Sequence, residues 1–468
     1  MAESLDLPTV SVLMGAYNYE QYVGRAIESA LAQDYPPELM EIVVIDDGST
    51  DSTARVVEEL ARENPGRIRL VRQANGGYID STNRAIAESR GEILALLDAD
   101  DLWLPEKTRL QVEMLQADPS LGLVYSDMVV IDGGDAVLHP SHLSYLNPVG
   151  ERCVPALLFT NFVTTSSIMV RASLRDVFYP VPAAVPYADW WIALRAAEVS
   201  KIDYRPEALA LYRQHGANMT NGRTGITAVR NSQMAVAFQL YALRHLPLDT
   251  LTPDELLHVW SGVEKYAGSA VQHSGSFFVD LTARLPSDGA QADALLAAAD
   301  EAAGGSDPLA EARLTLKALA WDPFRFDTCE RLKDSVTRAK LALSLADPLR
   351  GARGYRVLVD ARELLAGDDL MLAYADALSG SEDVTLIIDA SELPVDLAQS
   401  NLVELVDRCA LNDRDDIDLV ALVGPQTHDG RQRMLEVVHA HYSRREGNRQ
   451  GAPVYTPSSL GELRARAA

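Results

Sequence analysis

Hydrophobic and polar positions in the first 220 residues follow two alternating rhythms. Val10-Ser11-Val12-Leu13-Met14 and Ile42-Val43-Val44-Ile45 are short apolar runs closed by Gly15 and by Asp46-Asp47-Gly48-Ser49, and they read as strands. Between them Tyr22, Val23, Ala26, Ile27, Ala30 and Leu31 recur at helical spacing and make one apolar face. A second helix follows, with Asp51 or a neighbouring Ser or Thr as its N-cap. Ile68–Val71 predicts a third strand and Ile79–Ser89 a third helix. Ile93-Leu94-Ala95-Leu96-Leu97 predicts a fourth strand that runs straight into Asp98-Ala99-Asp100-Asp101. Strands this continuously apolar, alternating with helices, predict an α/β fold whose parallel sheet is covered on both faces. Ligands of such sheets sit beyond the carboxyl ends of the strands, where the polar clusters of this chain fall.

From about 225 to 350 the chain is rich in Ala and Leu and reads as helices broken by Pro247, Pro253, Pro286 and Gly304-Gly305. A second α/β pattern begins near Gly354. Its strand candidates are Val357-Leu358-Val359, Val384–Ile388, Leu419–Val423 and, more weakly, Val454-Tyr455, separated by helices centred on Ala373, Leu405 and Val437. The expected domains are therefore 1–224, a helical region over 225–350, and a small Rossmann-like α/β domain over 351–468. The last has Asp360-Ala361-Arg362 after its first strand where a phosphate-binding loop would carry glycines, so no ligand is assigned to it.

The 468 residues, 47% hydrophobic and 23% charged, have the composition of an ordinary globular chain. The net charge of −25 repels polyphosphate, so nucleic acid is not an expected partner, and a phosphorylated substrate would need a cation or a local cluster of donors. Cys153, Cys329 and Cys409 lie far apart, which excludes a disulfide framework and a thiolate zinc site. The N-terminal stretch is acidic where a signal peptide is basic, and Cys153–Val170 is too polar, with Pro155, Asn161 and a run of Thr and Ser, to be a transmembrane segment. The expected location is the cytoplasm, with peripheral attachment at the membrane left open.

Four clusters can carry chemistry. Gly15-Ala16-Tyr17-Asn18 and Asp46-Asp47-Gly48-Ser49 follow adjacent strands, so an aromatic ring and a carboxylate would share one crevice and could read a pyrimidine edge; equally, the acids and serines could cap helices while Tyr17 packs. Asn75-Gly76-Gly77 adds an amide and mobile backbone near the same edge, or only a turn, and Asn83 faces either the crevice or solvent. Three carboxylates in Asp98-Ala99-Asp100-Asp101 repel one another unless a cation or solvent offsets them. Asp98 and Asp100, two apart on an extended end, would point the same way and suit Mg²⁺ or Mn²⁺; the alternative is a solvated acidic turn. In Tyr187-Ala188-Asp189-Trp190-Trp191 the carboxylate opens a helix, as the dipole favours, and the flanking aromatics could wall an acceptor and desolvate the acid into a general base. Tyr212-Arg213-Gln214-His215 ends the series, its histidine structural or a ligand.

In this order, VSVLMGAYN, VVIDDGSTDST, NGG, GEILALLDADDLWLP, YADWW and YRQHGANMT resemble glycosyltransferase family 2, with the GT-A fold, over residues 8–220. The chain departs from the usual family pattern at Gly15, Ser81-Thr82-Asn83, Ala188 and Trp191. The resemblance implies inverting transfer from a nucleotide sugar, most often a UDP-sugar, to a hydroxyl on a glycan, lipid-linked or protein-linked acceptor, with a divalent cation. Ala16, Tyr17, Asp47, Asn75, Asn83 and Asp98 would then bind the donor. Tyr17 would stack on uracil, Asp47 would hydrogen-bond it, and Asp98 would hold ribose or the metal. Asp100 would ligate the metal, Asp189 would take the acceptor proton, and His215 matches a position that in some members contacts the metal or the diphosphate. Two other readings stand beside it. A sugar nucleotidyltransferase would open with a Gly-rich loop plus Arg and Lys, and GAYNYEQ has none. A non-catalytic scaffold would bind a glycan or partner through the C-terminal regions, which are also candidates for homo-oligomer contacts.

Overall fold

β1 (Val10–Ala16), β2 (Met40–Asp46), β3 (Ile68–Arg72) and β4 (Ile93–Leu96) alternate with α1 (Val23–Leu31), α2 (Thr53–Glu63) and α3 (Tyr78–Glu88) in the computed structural model. It describes residues 7–146, 153–216, 225–271, 285–323, 325–346, 355–377, 384–390, 393–411, 418–423, 440–443, 448–449, 452–457 and 459. β1 pairs in parallel with β2 and β4, and β2 with β3, as the apolar runs predict. Strand alternation splits each run between two cores: Val10, Val12 and Met14 pack with Val23 and Ile27 of α1, whereas Leu13 packs with Ala85 and Ile86 of α3. Burial on both faces is why β1, β2 and β4 show little polar alternation, unlike the edge strand β3.

Beyond β4 the sheet is not the parallel one expected. β5 (Leu102–Trp103), β6 (Leu121–Asp132), β7 (Val137–His139), β8 (Met169–Arg171) and β9 (Lys201–Gln214) complete the order β3-β2-β1-β4-β8-β6-β9-β5, with β7 on β6. β8 runs antiparallel to β4 and β6, and β5 antiparallel to β9, so the sheet is mixed. The sequence pattern hid this half because β8 is only three residues long and β9 carries exposed Lys201, Asp203 and Glu207 along a half-covered face. α4 (Lys107–Ala117) covers the α1 face; α5 (Cys153–Phe159), α6 (Arg175–Phe178) and α7 (Ala188–Val199) pack on the α3 face.

α8 (Gly225–His245), α9 (Pro253–Val271), α10 (Gly289–Gly304), α11 (Pro308–Trp321) and α12 (Phe326–Ala346) answer to the expected helical region. The expected boundary at 224 separates no cores, however. Trp190 of α7 stacks on Phe238 of α8 with ring centroids 4.0 Å apart, and Gln239 Nε2 donates to the Phe159 carbonyl at 2.7 Å. The division into two units falls between Val336 and Thr337, within α12.

The second unit contains β10 (Tyr355–Asp360), α13 (Ala361–Leu365), α14 (Asp369–Ala377), β11 (Val384–Ala390), α15 (Val395–Arg408), β12 (Asp418–Val423), β13 (Ala440–Tyr442), β14 (Asn448–Arg449) and β15 (Ala452–Tyr455). Its sheet order is β12-β11-β10-β13-β15-β14, parallel except for β14. Val357, Leu386, Tyr374 and Tyr442 form its core. All four expected strands are present, joined by the unexpected β13 and β14; the helix expected around Val437 lies outside the described residues. Among the described residues no helix is long and apolar enough to cross a membrane.

Trp190 joins the sheet to the helical region, stacking on Phe238 and donating from Nε1 to the Leu157 carbonyl at 2.6 Å. Trp190→Ala is expected to cost about 3–5 kcal/mol in chemical unfolding of the first unit, and Trp190→Phe distinctly less.

Candidate active site

The turns after β1, β2 and β4 meet at one edge of the sheet. After β1, Asn18 adopts a left-handed conformation (φ 59°) and its Oδ1 accepts from the Thr50 amide at 2.8 Å, tying the β1 turn to the β2 turn. Gly48 has φ 76°, and a Cβ there would come within 2.9 Å of the Asn75 amide nitrogen, so only glycine suits that crossing. Beside it the buried Asp47 accepts from Gln73 Nε2 at 2.8 Å, from the Gly76 amide at 2.9 Å and from the Gly77 amide at 2.8 Å. The Asn75-Gly76-Gly77 segment is thus shaped around this carboxylate.

After β4, residues 98–101 form a turn rather than an extended end, closed by the Asp101 amide donating to the Asp98 carbonyl at 3.1 Å. Asp98 and Asp100 still face one cavity, and Asp101 turns into the protein. There Asp101 accepts from Ser166 Oγ at 2.6 Å and from the Arg213 amide at 2.8 Å. Asp100 is 5% exposed and Asp101 0%, which rules against a solvated acidic turn. Burial raises the pKa of Asp98, Asp100 and Asp101; the neighbouring carboxylates add to the rise for Asp98 and Asp101, while His215 and Arg213 oppose it at Asp100. His215 Nε2 lies 2.9 Å from Asp100 Oδ2. Burial and the acidic turn also push the Tyr19 hydroxyl far up, so it stays protonated and bonded to Asp100.

The antiparallel half of the sheet supplies the opposite wall. Asp189 Oδ2 accepts from the Thr165 amide at 3.2 Å and the Thr165 hydroxyl at 3.3 Å, and Oδ1 from the Trp190 amide at 2.7 Å. Burial raises its carboxyl to about 6, against these bonds and one from Asn161. Thr165 also bonds Asp98 and meets the Tyr78 hydroxyl at 3.3 Å, and Ser166 Oγ accepts from the Asp98 amide at 3.1 Å.

One cavity of about 950 Å³ is lined by Ala16, Tyr17, Asp47, Asn75, Asp98, Asp100, Asp189 and His215 together. Asn83 is not on its wall: its side-chain amide is paired both ways with the Val181 backbone, each bond 2.8 Å. The tryptophans beside Asp189 do not wall the cavity either. One residue is about 100° of helix, so Asp189 faces the cavity while Trp190 and Trp191 enter the core, Trp191 donating to the Phe178 carbonyl at 3.1 Å. Tyr187 and Tyr212 take that place. Among the described residues no three of His, Cys, Asp or Glu form a ready cage for an ion, so a cation at Asp98, Asp100 and His215 would need oxygens from its substrate. Sequence reasoning gave no role to Thr165, Ser166, Tyr19 or Arg213. Its one available signal was the polar run Thr164-Thr165-Ser166-Ser167 inside an otherwise apolar stretch.

Known proteins share this arrangement of sequence. The glycosyl transferase family 2 sequence model matches residues 11–178. An uncharacterized glycosyltransferase of Nostoc sp. is 32% identical over 238 residues, 49% of this chain and 72% of its own. An uncharacterized protein of Mycobacterium tuberculosis is 33% identical over 212 residues, 44% of this chain and 59% of its own. The solved structure of S. aureus TarS 1-349 in complex with UDP-GlcNAc aligns with a TM-score of 0.45 and 18% identity, covering 72% of this chain and 92% of that one. The chain belongs to glycosyl transferase family 2 and is a glycosyltransferase.

Thr165 bonds the ionised form of Asp189, so its loss removes a stabilising contact from the carboxylate. In Thr165→Val the Asp189 carboxyl, followed by ¹³C NMR, is expected to titrate above its value of about 6, and in Thr165→Ser to return towards it.

Proposed function

We propose that this glycosyltransferase moves a sugar from a UDP-sugar to an acceptor hydroxyl, with a divalent cation and inversion at the anomeric carbon. The observation that carries this reading is the placement of Asp189, buried and with its pKa at about 6, facing the same cavity as Asp98 and Asp100. A carboxyl group that titrates near neutrality and faces open space suits a general base.

The donor end is formed by Tyr17 and Asp47. Tyr17 is 45% exposed at the cavity rim, free to stack on a nucleobase. A carboxylate offers about four lone-pair sites, and the protein uses three of those on Asp47. The remaining acceptor matches the single imide N–H of uracil. The buried acidic turn fits a hard cation, because its carboxyl groups are desolvated there, Asp98 and Asp101 are raised further by acidic neighbours, and Arg213 is a fixed counter-charge. Asp100 and His215 would hold that cation, with Asp98 on the same wall. When bound, it would neutralise the leaving diphosphate as a Lewis acid. Asp189 would take the proton of the acceptor hydroxyl as it attacks the face of the sugar opposite the diphosphate. Tyr187 and Tyr212 would flank the acceptor.

Transfer from a panel of nucleotide sugars with Mn²⁺, with the product anomer read by NMR, tests the reading; no turnover with any UDP-sugar would sink it. Asp189→Asn is expected to lower kcat by about 10²–10⁴-fold while donor binding survives. A fully active Asp189→Asn enzyme would point to another base. In the wild type kcat/KM should fall as pH drops through about 6, since Asp189 acts ionised. Stability runs the other way. The folded pKa lies above the ordinary 3.8, so the contribution of Asp189 is greatest below pH 3.8 and is lost as pH rises through 6. In chemical unfolding the fall in stability between about pH 4 and 6 should therefore be smaller in Asp189→Asn than in the wild type. Chelation with EDTA should abolish transfer and Mn²⁺ restore it.

A further inference from the structure

Arg213 is 1% exposed, and its bonds reach both halves of the acidic turn. Its amide donates to Asp101 Oδ1 at 2.8 Å, and its Nε donates to the Asp100 carbonyl at 2.7 Å. Nη1 donates to the Asp132 carbonyl at 3.1 Å and forms an ion pair with Asp135, both in the β6–β7 hairpin. The guanidinium lies 5.0 Å from the centre of the Tyr22 ring, and Tyr22 stacks on His215 at 4.8 Å with an interplanar angle of 27°. Guanidinium, phenol and imidazole therefore pack in contact, the imidazole ending on Asp100. Asp135 in turn accepts from Arg25 of α1 at 2.6 Å.

We propose that Arg213, anchored by Asp135, is the positioning residue that sets the Asp100 backbone and the His215 ring at the spacing a divalent cation requires. This rests on the reading that Asp100 and His215 hold the cation. A planar guanidinium is suited to the task because it bonds in two directions from one rigid plane while its face packs on an aromatic ring; a lysine ammonium is a compact charge on a flexible stem, with neither the rigid fork nor the flat face. The backbone amide bond to Asp101 survives any side chain at 213, so substitution there tests the guanidinium alone. Partners behind metal ligands typically govern affinity by about 10–100-fold.

The 468-residue chain is titrated with Mn²⁺ in the presence of UDP, with free Mn²⁺ followed by EPR, for wild type, Asp135→Asn, Arg213→Lys and Arg213→Met. Asp135→Asn and Arg213→Lys are expected to weaken Mn²⁺ binding about tenfold, and Arg213→Met more. In turnover the loss should fall on the apparent KM for Mn²⁺ more than on kcat. Asp135 is partly exposed, so Asp135→Asn decides the matter if an Arg213 variant fails to fold. Wild-type binding with unchanged affinity in Asp135→Asn would overturn the positioning role and leave the proposed function standing. So would a loss confined to kcat. Absence of Mn²⁺ binding in the wild type would overturn both.

Discussion

Burying negative charge at the end of β4 is the constraint around which the first unit is organised. Three carboxyl groups within four residues cannot leave water unless hydrogen bonds and counter-charge replace their hydration. The protein meets this with distant parts of the chain. Ser166 and the Arg213 amide satisfy Asp101, His215 and Tyr19 meet Asp100, and the Thr165 hydroxyl meets Asp98. The mixed half of the sheet exists in this geometry to deliver those partners, since β9 ends at Gln214, beside the turn it must neutralise. Its pairing with β5 carries that end across to residues 102 and 103, directly after the acids.

The carboxylates of the cavity fall into two environments. Asp98, Asp100 and Asp101 share one turn and one counter-cation, so their charges are collective. Asp189 lies apart from that turn, at the start of α7, and desolvation dominates its shift. Separated environments of this kind let one cavity hold a cluster suited to a cation and a lone acid suited to proton transfer. Thr165 connects them by bonding both Asp98 and Asp189, so the position of Asp189 is tied to that of the acidic turn.

Local pattern was sufficient for β1 to β4, for the helices between them and for the four strands first assigned to the second unit. These segments are apolar runs or amphipathic repeats whose period survives any tertiary arrangement. The wall-forming positions Ala16, Tyr17, Asp47, Asn75, Asp98 and Asp100 followed from one rule, that polar residues ending parallel strands gather at one edge. The rule does not reach Asn83, which lies within α3 and whose amide pairs with the backbone at Val181, 98 residues away.

What the sequence determined by itself is therefore the parallel half of the sheet, the order of its polar turns and the chemical kind of each candidate group. Tertiary structure alone decided which neighbours those groups have. That Trp190 and Trp191 serve the core rather than the cavity, that Thr165 and Ser166 bind the acids, and that Arg213 lies buried beneath them all depend on β8 and β9 folding back across the sheet. Contacts of this kind join residues 24 to 115 positions apart. No local period encodes them, because the free energy that selects them is the cost of leaving buried charge unsatisfied, and that cost arises only once the chain has closed around it.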